Sequence, residues 1–193
     1  MTRLAGAVLV GGTSRRMGRD KATLRLRGGG ILGQRALDAL RGCADIDDDV
    51  AVIGGDRDMA EVLGGRWVAD PSPPIGPVGG VLAAVQDAGG RGCDAVVVLP
   101  CDLPSVEARH VTTLITAARP WPSSVVIASV GQRAAYPIGV WPTWIADPMA
   151  CAVGDRPVDF ATALGDLPTR TVAMPDAFRD ADEPKDLADR GLV

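Results

Sequence analysis

A glycine-rich, cationic segment directly after the first apolar run is the part of this chain best suited to chemistry. The run ends at Gly11 and Gly12, and the sequence that follows reads TSRRMGRDK. Glycines let a backbone turn tightly against a ligand, and successive N–H groups in such a turn form a concave anion site. Full positive charges come from Arg15, Arg16 and Lys21, and arginine suits bidentate phosphate contacts. The segment therefore predicts a site for a triphosphate or a pyrophosphate.

The spacing of this segment differs from two other phosphate-binding loops. A Walker A loop needs Gly-Lys followed by Ser or Thr, whereas Lys21 follows Asp20. A dinucleotide loop spaces its glycines as G-x-G-x-x-G, whereas the glycines here are Gly11, Gly12 and Gly18. That loop also relies on backbone and helix dipole rather than on several cations. We interpret the segment as a cradle for a highly charged ligand with a leaving group; the alternative is a glycine-rich turn with solvated arginines.

A second chemical feature follows the apolar run AVVVLP at residues 95–100. Asp102 comes just after this predicted strand, and ligands of open α/β sheets bind beyond the carboxyl ends of the strands. The same edge of the sheet should carry the glycine-rich segment. A carboxylate there is well placed to hold Mg²⁺, which prefers oxygen ligands and bridges phosphates. From the residues alone, an aspartate in a turn before a helix is the alternative.

A third feature is the proline-rich segment DPSPPIGPVGGV at residues 70–81. It begins with Asp70 after a short apolar run and reaches Gly79 and Gly80 at the start of a predicted helix. Proline favours the first turn of a helix, and glycines allow a ligand to come close. The pattern predicts a loop that faces a ligand, with a structural Pro/Gly turn as the alternative.

Composition narrows the classes of function. The chain has 193 residues, 47% of them apolar, which suits one α/β domain over residues 1–193. Aromatic residues make up 4%, the net charge is −4, and the cations cluster only in the first loop, which argues against nucleic-acid binding. Four scattered cysteines and one histidine, His110, argue against a zinc site and a nucleophilic triad. With no signal-peptide pattern and no apolar run of transmembrane length, we expect a cytoplasmic protein that does not bind membranes.

The elements that must position these features alternate along the chain. Short apolar runs are separated by helical patterns, which predicts a mostly parallel, Rossmann-like sheet in a three-layer α/β/α fold. The predicted strands are residues 4–10, 50–53, 66–69, 95–99, 125–129, 137–141 and 171–174. The predicted helices are residues 32–42, 57–63, 78–88, 106–118, 144–152, 158–164 and 183–190.

The segment LVGGTSRRMGRDKATL resembles the pattern L-A-G-G-x-S-x-R-M-G-x-D-K-A-L-L of the molybdenum cofactor guanylyltransferases, which are MobA-like nucleotidyltransferases. It differs at Val10, where the family usually has Ala, and at Thr23, where it usually has Leu. The segment that starts at Asp70 resembles D-x-x-x-x-x-G-P-L-A-G, and Asp102 lies in a matching P-x-D-x-P context. The second half resembles the family more weakly, in AYPIGVW, GDRPVDF and FRDADEPKDL. In the last of these, aspartates replace two asparagines.

The resemblance implies a fold of the nucleotide-diphospho-sugar transferase type and transfer of GMP from GTP to molybdopterin, with Mg²⁺ as cofactor and pyrophosphate as product. The implied catalytic residues are Arg15, Lys21 and Asp102, of which Asp102 is also the metal ligand. The implied nucleotide-binding residues are Leu9, Val10, Gly11, Gly12, Thr13, Ser14, Lys21, Asp70, Gly79, Gly80 and Asp102. Those implied for the pterin side are Tyr136, Arg156 and Asp182, for which structural roles, such as a helix N-cap at Asp182, stay open. The implied partners are GTP, molybdopterin and molybdoenzyme chaperones or other maturation proteins.

Four alternatives remain at this point. A molybdopterin cytidylyltransferase would use CTP with the same chemistry, but its first loop usually reads L-A-A-G, and both Gly11-Gly12 and the G-P-x-x-G pattern favour guanine. Aspartates at 180 and 182 are more typical of cytidylyl and sugar-nucleotide relatives, so a sugar- or polyol-phosphate nucleotidyltransferase is the next alternative. An NAD-dependent dehydrogenase has the wrong glycine spacing. A family member that binds without turnover is the non-enzymatic alternative.

Overall fold

In the computed structural model, the apolar runs of the sequence form the seven strands of one sheet. The structure describes residues 3–11, 21–27, 29–71, 75–154 and 156–180. The strands are β1 (Leu4–Leu9), β2 (Ala51–Ile53), β3 (Arg66–Val68), β4 (Ala95–Pro100), β5 (Val125–Val130), β6 (Arg133–Pro142) and β7 (Thr169–Ala173). Their order across the sheet is β3-β2-β1-β4-β6-β5-β7.

Six α-helices are found in the described part of the chain. They are α1 (Leu32–Arg41), α2 (Arg57–Leu63), α3 (Pro77–Gly90), α4 (Ala108–Ala118), α5 (Ala146–Val153) and α6 (Phe160–Leu164). Short 3₁₀ turns lie at Lys21–Thr23, Thr143–Ile145 and Asp176–Phe178. The predicted three-layer, mostly parallel fold is confirmed, and the predicted helix at 183–190 lies outside the described residues. No helix among the described residues has the length and apolar character needed to cross a membrane.

Parallel pairing brings the ends of four strands to one edge of the sheet. β1 pairs in parallel with β2 and with β4, and β2 pairs in parallel with β3. β6 is antiparallel to β4, so the residues that begin β6 lie at the same edge as the residues that end β4. We call this side of the sheet, where β1, β2, β3 and β4 end, the carboxyl edge.

β6 begins four residues earlier than the apolar pattern predicts. Its first residues, from Arg133 to Tyr136, are exposed or half-buried, so they carry no continuous apolar signal. They are strand because β5 and β6 form a hairpin, in which Val130 pairs with Arg133 across Gly131. Gly131 has a φ of 63°, a value that favours glycine. The hairpin extends β6 toward the carboxyl edge.

Two apolar clusters, one on each face, hold the sheet in place. On one face α1 and α4 bury Leu37, Leu40 and Leu114 against the strands. On the other face α3 buries Val81 among the side chains that surround Trp141. Each fully buried side chain of this size contributes about 1.5–3 kcal/mol, so the strands and their ends are firmly positioned. All four cysteines are free thiols.

Candidate functional site

The carboxyl edge holds a lysine–aspartate pair. Lys21 begins the 3₁₀ turn after the glycine-rich segment, and Asp102 follows the end of β4. Lys21 Nζ lies 3.4 Å from Asp102 Oδ2, and the two side chains are only 15% and 18% exposed. Cys101 N, next to Asp102, donates a hydrogen bond to Leu9 O at 3.1 Å and thereby ties the end of β4 to the end of β1. The structure thus brings together two residues that are 81 positions apart in sequence.

The carboxylate of Asp102 has an unsatisfied oxygen. Its Oδ1 is buried and has no hydrogen-bond partner among the described residues. Burial raises the pKa of Asp102; the positive charge of Lys21 opposes this shift, and the negative charge of Asp180 adds to it. A buried acceptor without a donor is costly unless a cation or another ligand meets it. Asp102 therefore fits the oxygen-donor chemistry that Mg²⁺ requires.

A second acidic group lies further along the same edge. Asp70 follows β3, and its carboxylate rests against three glycines that come from other elements. A Cβ atom added to Gly54 would come within 2.6 Å of Asp70 Oδ2, one added to Gly80 within 3.5 Å of Oδ1, and one added to Gly11 within 4.0 Å of Oδ2. Burial raises the pKa of Asp70. Asp70 as a whole is nevertheless exposed, so a ligand can reach it.

The backbone at the ends of β1 and β2 lies beside the carboxylate of Asp70. Val10 N donates to Ile53 O at 2.9 Å, which continues the pairing of β1 and β2 beyond the last strand residue. The chain then turns at Gly11, whose φ of 101° favours glycine. Leu9 lies directly under Gly80, because a Cβ there would meet both Leu9 methyl groups at 3.4 Å. Leu9, Val10 and Gly11 are thus brought to the same place as Asp70 and Gly80.

The two glycines of the third sequence feature, Gly79 and Gly80, lie in the first turn of α3 and face different neighbours. Pro77 is the first helical residue, as its fixed φ favours, and Gly76 precedes it with a φ of 80°. A Cβ on Gly79 would come within 2.5 Å of Ile75 Cγ1, so Gly79 allows close packing of the helix on the proline-rich loop. Gly80 instead faces Leu9 and Asp70. Residues 72–74 of this loop lie outside the described residues.

The other predicted site residues fall into two groups. Tyr136 is exposed near the start of β6, and Arg156 is exposed in the segment between α5 and α6. The remaining predicted site residues lie outside the described residues: Gly12, Thr13, Ser14, Arg15 and Asp182, together with Arg16. The roles predicted for this second group stay predictions.

The structure adds two features that the sequence analysis missed. Gly54 and Gly55 turn the chain after β2 with φ values of 86° and 57°, and Gly54 comes closest to Asp70. A glycine pair directly after a short apolar run was a signal for this turn. Asp180 lies close enough to Asp102 to raise the pKa of Asp102, whereas the expectation from the sequence placed Asp182 in the site, on the pterin side.

This arrangement suits the handling of a nucleoside triphosphate. Lys21 offers positive charge where phosphates would lie, Asp102 offers an oxygen for a divalent cation, and Asp70 offers acceptors for a neutral donor group. The glycines leave room for close approach of a ligand to the backbone. Transfer between phosphates depends mainly on such positioning and charge stabilisation, and needs little covalent chemistry from the protein.

Comparisons with known proteins agree with this geometry. The family model described as "MobA-like NTP transferase domain" matches residues 6–181. A protein of Opitutus terrae named probable molybdenum cofactor guanylyltransferase is 39% identical over 143 residues, which are 72% of this chain and 69% of that protein. A molybdenum cofactor guanylyltransferase of Cereibacter sphaeroides is 33% identical over 192 residues, 96% of this chain and 94% of that protein.

A solved structure shares the fold. The crystal structure of molybdopterin-guanine dinucleotide biosynthesis protein A from Archaeoglobus fulgidus superposes with a TM-score of 0.76 at 20% identity. The match covers 96% of this chain and 95% of that chain. At this low identity, the similarity shows that the two chains share a fold, which is the same arrangement of strands and helices over almost their whole length.

Proposed function

Because the chain belongs to the MobA-like NTP transferase family, we propose that it is a molybdenum cofactor guanylyltransferase. In this reaction an oxygen of the terminal phosphate of molybdopterin attacks the α-phosphorus of GTP. A new P–O bond forms, the bond between the α-phosphorus and its bridging oxygen breaks, and pyrophosphate leaves. The attacking phosphate is already an anion, so no protein base is needed. The problem left to the protein is the repulsion between two polyanions.

The half-buried pair of Lys21 and Asp102 is the observation that carries this proposal. A lysine at this depth interacts strongly with phosphate charge, since solvent screens it less than an exposed lysine. We assign Lys21 to the phosphates, where it would stabilise the charge that develops on pyrophosphate. Arg15 and Arg16 are proposed for the same task because both follow the glycine pair, and Arg16 occupies the arginine position of the family pattern.

We propose Mg²⁺ as the cofactor because Asp102 offers a carboxylate oxygen that suits this ion. The buried Oδ1 without a donor supports this assignment, and the nearby carboxylate of Asp180 would add negative charge for a divalent cation. When bound, the ion would supply positive charge that neutralises phosphate charge. Asp102 would hold it, while Lys21 holds phosphate oxygens directly.

The group around Asp70 is proposed as the nucleotide side of the site. Its carboxylate can accept hydrogen bonds from a ligand, and Gly11 and Gly80 leave space beside it. The names of the relatives favour guanine over cytosine, and we adopt GTP as the donor substrate. We propose that Arg156 and Asp182 contact the acceptor, because they lie in the family-like motifs of the second half of the chain.

Calorimetric titration with Mg-GTP and with Mg-CTP tests the proposal, followed by an assay of pyrophosphate release with molybdopterin. We expect tight binding of Mg-GTP, weak binding of Mg-CTP, and pyrophosphate release only when acceptor is present. Asp102→Asn should abolish release, whereas Asp166→Asn, which removes an exposed carboxylate after α6, should leave it unchanged. A preference for CTP would reject guanylyl transfer and indicate the cytidylyl reaction instead. GTP binding without release would indicate a binding protein.

A further inference from the structure

An exposed aromatic side chain stands at the carboxyl edge on a rigid support. The ring of Tyr136 stacks on that of Phe160, with centroids 4.7 Å apart and planes 7° from parallel. Phe160 in turn packs against the buried ring of Trp141, with centroids 5.9 Å apart. Trp141 Nε1 donates a hydrogen bond to Pro137 O at 3.0 Å, and so holds the backbone next to Tyr136. Tyr136 nevertheless remains 38% exposed.

Strand register places Tyr136 near the reacting groups. In the antiparallel pair of β4 and β6, Val98 lies opposite Gly139. Asp102 follows Val98 by four residues and Tyr136 precedes Gly139 by three, so both extend past this pair toward the same edge. β6 lies on the other side of β4 from β1. The group around Asp70 and the ring of Tyr136 therefore flank Asp102 from opposite sides.

A flat ligand is the chemistry that this platform fits. Tyrosine has few rotatable bonds, and stacking on Phe160 fixes one face of the ring while the rest remains accessible to solvent. Heteroaromatic rings gain free energy by stacking on such a side chain. A nucleotide that spans from Asp70 to Lys21 occupies the β1 side of Asp102, which leaves the β6 side for the second substrate.

We propose that Tyr136, supported by Phe160, stacks against the pterin ring of the acceptor and positions its phosphate toward Asp102. This inference rests on the proposed function, because that function supplies an acceptor with a planar ring. It makes Tyr136 a determinant of acceptor affinity with no role in nucleotide binding. An aromatic ring at position 136 is the requirement, and the hydroxyl group is dispensable.

A direct binding experiment tests the platform separately from guanylyl transfer. The probe is a fluorescent pterin that carries a phosphate on its side chain, titrated with and without Mg-GTP. Tyr136→Ala should weaken pterin binding roughly tenfold, in line with the loss of one stacked ring, and Tyr136→Phe should stay within about twofold of the unaltered protein. Trp144→Ala is the matched control, because this 47% exposed tryptophan lines a cavity at the opposite edge of the sheet.

The outcomes separate the two proposals. Equal pterin affinity in Tyr136→Ala and the unaltered protein would overturn the platform, as would an equal loss in Tyr136→Phe. Failure of the unaltered protein to bind the pterin, with nucleotide and without it, would overturn it as well. Mg-GTP affinity, measured by calorimetry, should be the same in all variants. If the unaltered protein binds the pterin but not Mg-GTP, guanylyl transfer fails while the comparison at Tyr136 still decides the platform.

Discussion

Replacing Gly54 with alanine should weaken nucleotide binding by displacing the carboxylate of Asp70. The new Cβ would overlap Val10 O and lie 2.6 Å from Asp70 Oδ2, about 0.8 Å short of the 3.4 Å at which ordinary contact begins. The carboxylate must retreat by roughly that distance, because Val10 O is held within the paired backbone. A misplacement of about 1 Å can cost on the order of 100-fold in a positioned site. We therefore expect the affinity for Mg-GTP to fall by about 10- to 100-fold.

The change also strains the backbone, and a control separates the two effects. Gly54 has a φ of 86°, where a side chain costs about 1–2 kcal/mol of folding stability. Gly92, in the turn after α3, has a φ of 72°, and a Cβ there would meet nothing within 4 Å. Gly92→Ala thus carries the same kind of strain without any contact. Gly54→Ala should lose more thermal stability than Gly92→Ala, because its Cβ also overlaps Val10 O, and only Gly54→Ala should lose nucleotide affinity.

Isothermal titration calorimetry at a temperature well below both melting transitions measures this difference. Equal Mg-GTP affinity in Gly54→Ala and Gly92→Ala would refute the reasoning, since it would mean that the position of Asp70 does not matter to the nucleotide. Asp70→Asn provides a second comparison, because it removes the charge and keeps the shape. Its affinity should fall together with that of Gly54→Ala.

Three further outcomes follow from the structure. Lys21→Ala should lower the rate of pyrophosphate release at least 100-fold in a steady-state assay, as expected for a lost transition-state donor, whereas Arg119→Ala, which removes an exposed cation paired with an aspartate, should not. Burial and the neighbouring Arg109 lower the pKa of His110, whose Nδ1 accepts a hydrogen bond from Glu107 N–H. Below a pH of about 6.5, the unfolded chain therefore binds more protons than the folded chain. Thermal stability should fall as the pH drops below that value, and it should fall less in His110→Ala. Leu37→Ala should cost about 2–5 kcal/mol in denaturant unfolding, because the side chain is fully buried.

The phosphate side of the site was predictable because its signal is local. A short stretch of consecutive residues shows each of its parts: the glycine at position 11 with its positive φ, the cations that follow it, and Asp102 directly after a buried strand. The sheet was predictable for the same reason, since its strands are short apolar runs. The rule that parallel strands end at one edge predicted that the glycine-rich segment and Asp102 lie together, but not the ion pair of Lys21 with Asp102. The family expected from these motifs is confirmed.

The rest of the site depends on distances between segments that no local pattern encodes. Gly54 was visible as half of a glycine pair, but its need to lack a side chain comes from Asp70, which is 16 positions further along. Asp180 approaches Asp102 only because the chain returns to the carboxyl edge after β7. The ring of Tyr136 is held in place by stacking on Phe160, which is 24 positions further along the chain. These relations arise only in the folded chain.

The distribution of charge favours the proposed binding of two polyanions at the carboxyl edge of this acidic chain. At the opposite edge, neighbouring aspartates pair with two arginines: Arg3 pairs with Asp47, and Arg66 pairs with Asp87. Such pairing leaves little positive field there to attract phosphate. At the carboxyl edge Lys21 is also paired, but with the residue proposed to hold the metal. We expect Mg²⁺ to compete with Lys21 for Asp102, so that metal and nucleotide binding reinforce each other. Calorimetry should show weaker GTP binding without Mg²⁺ in the unaltered protein, and no such difference in Asp102→Asn.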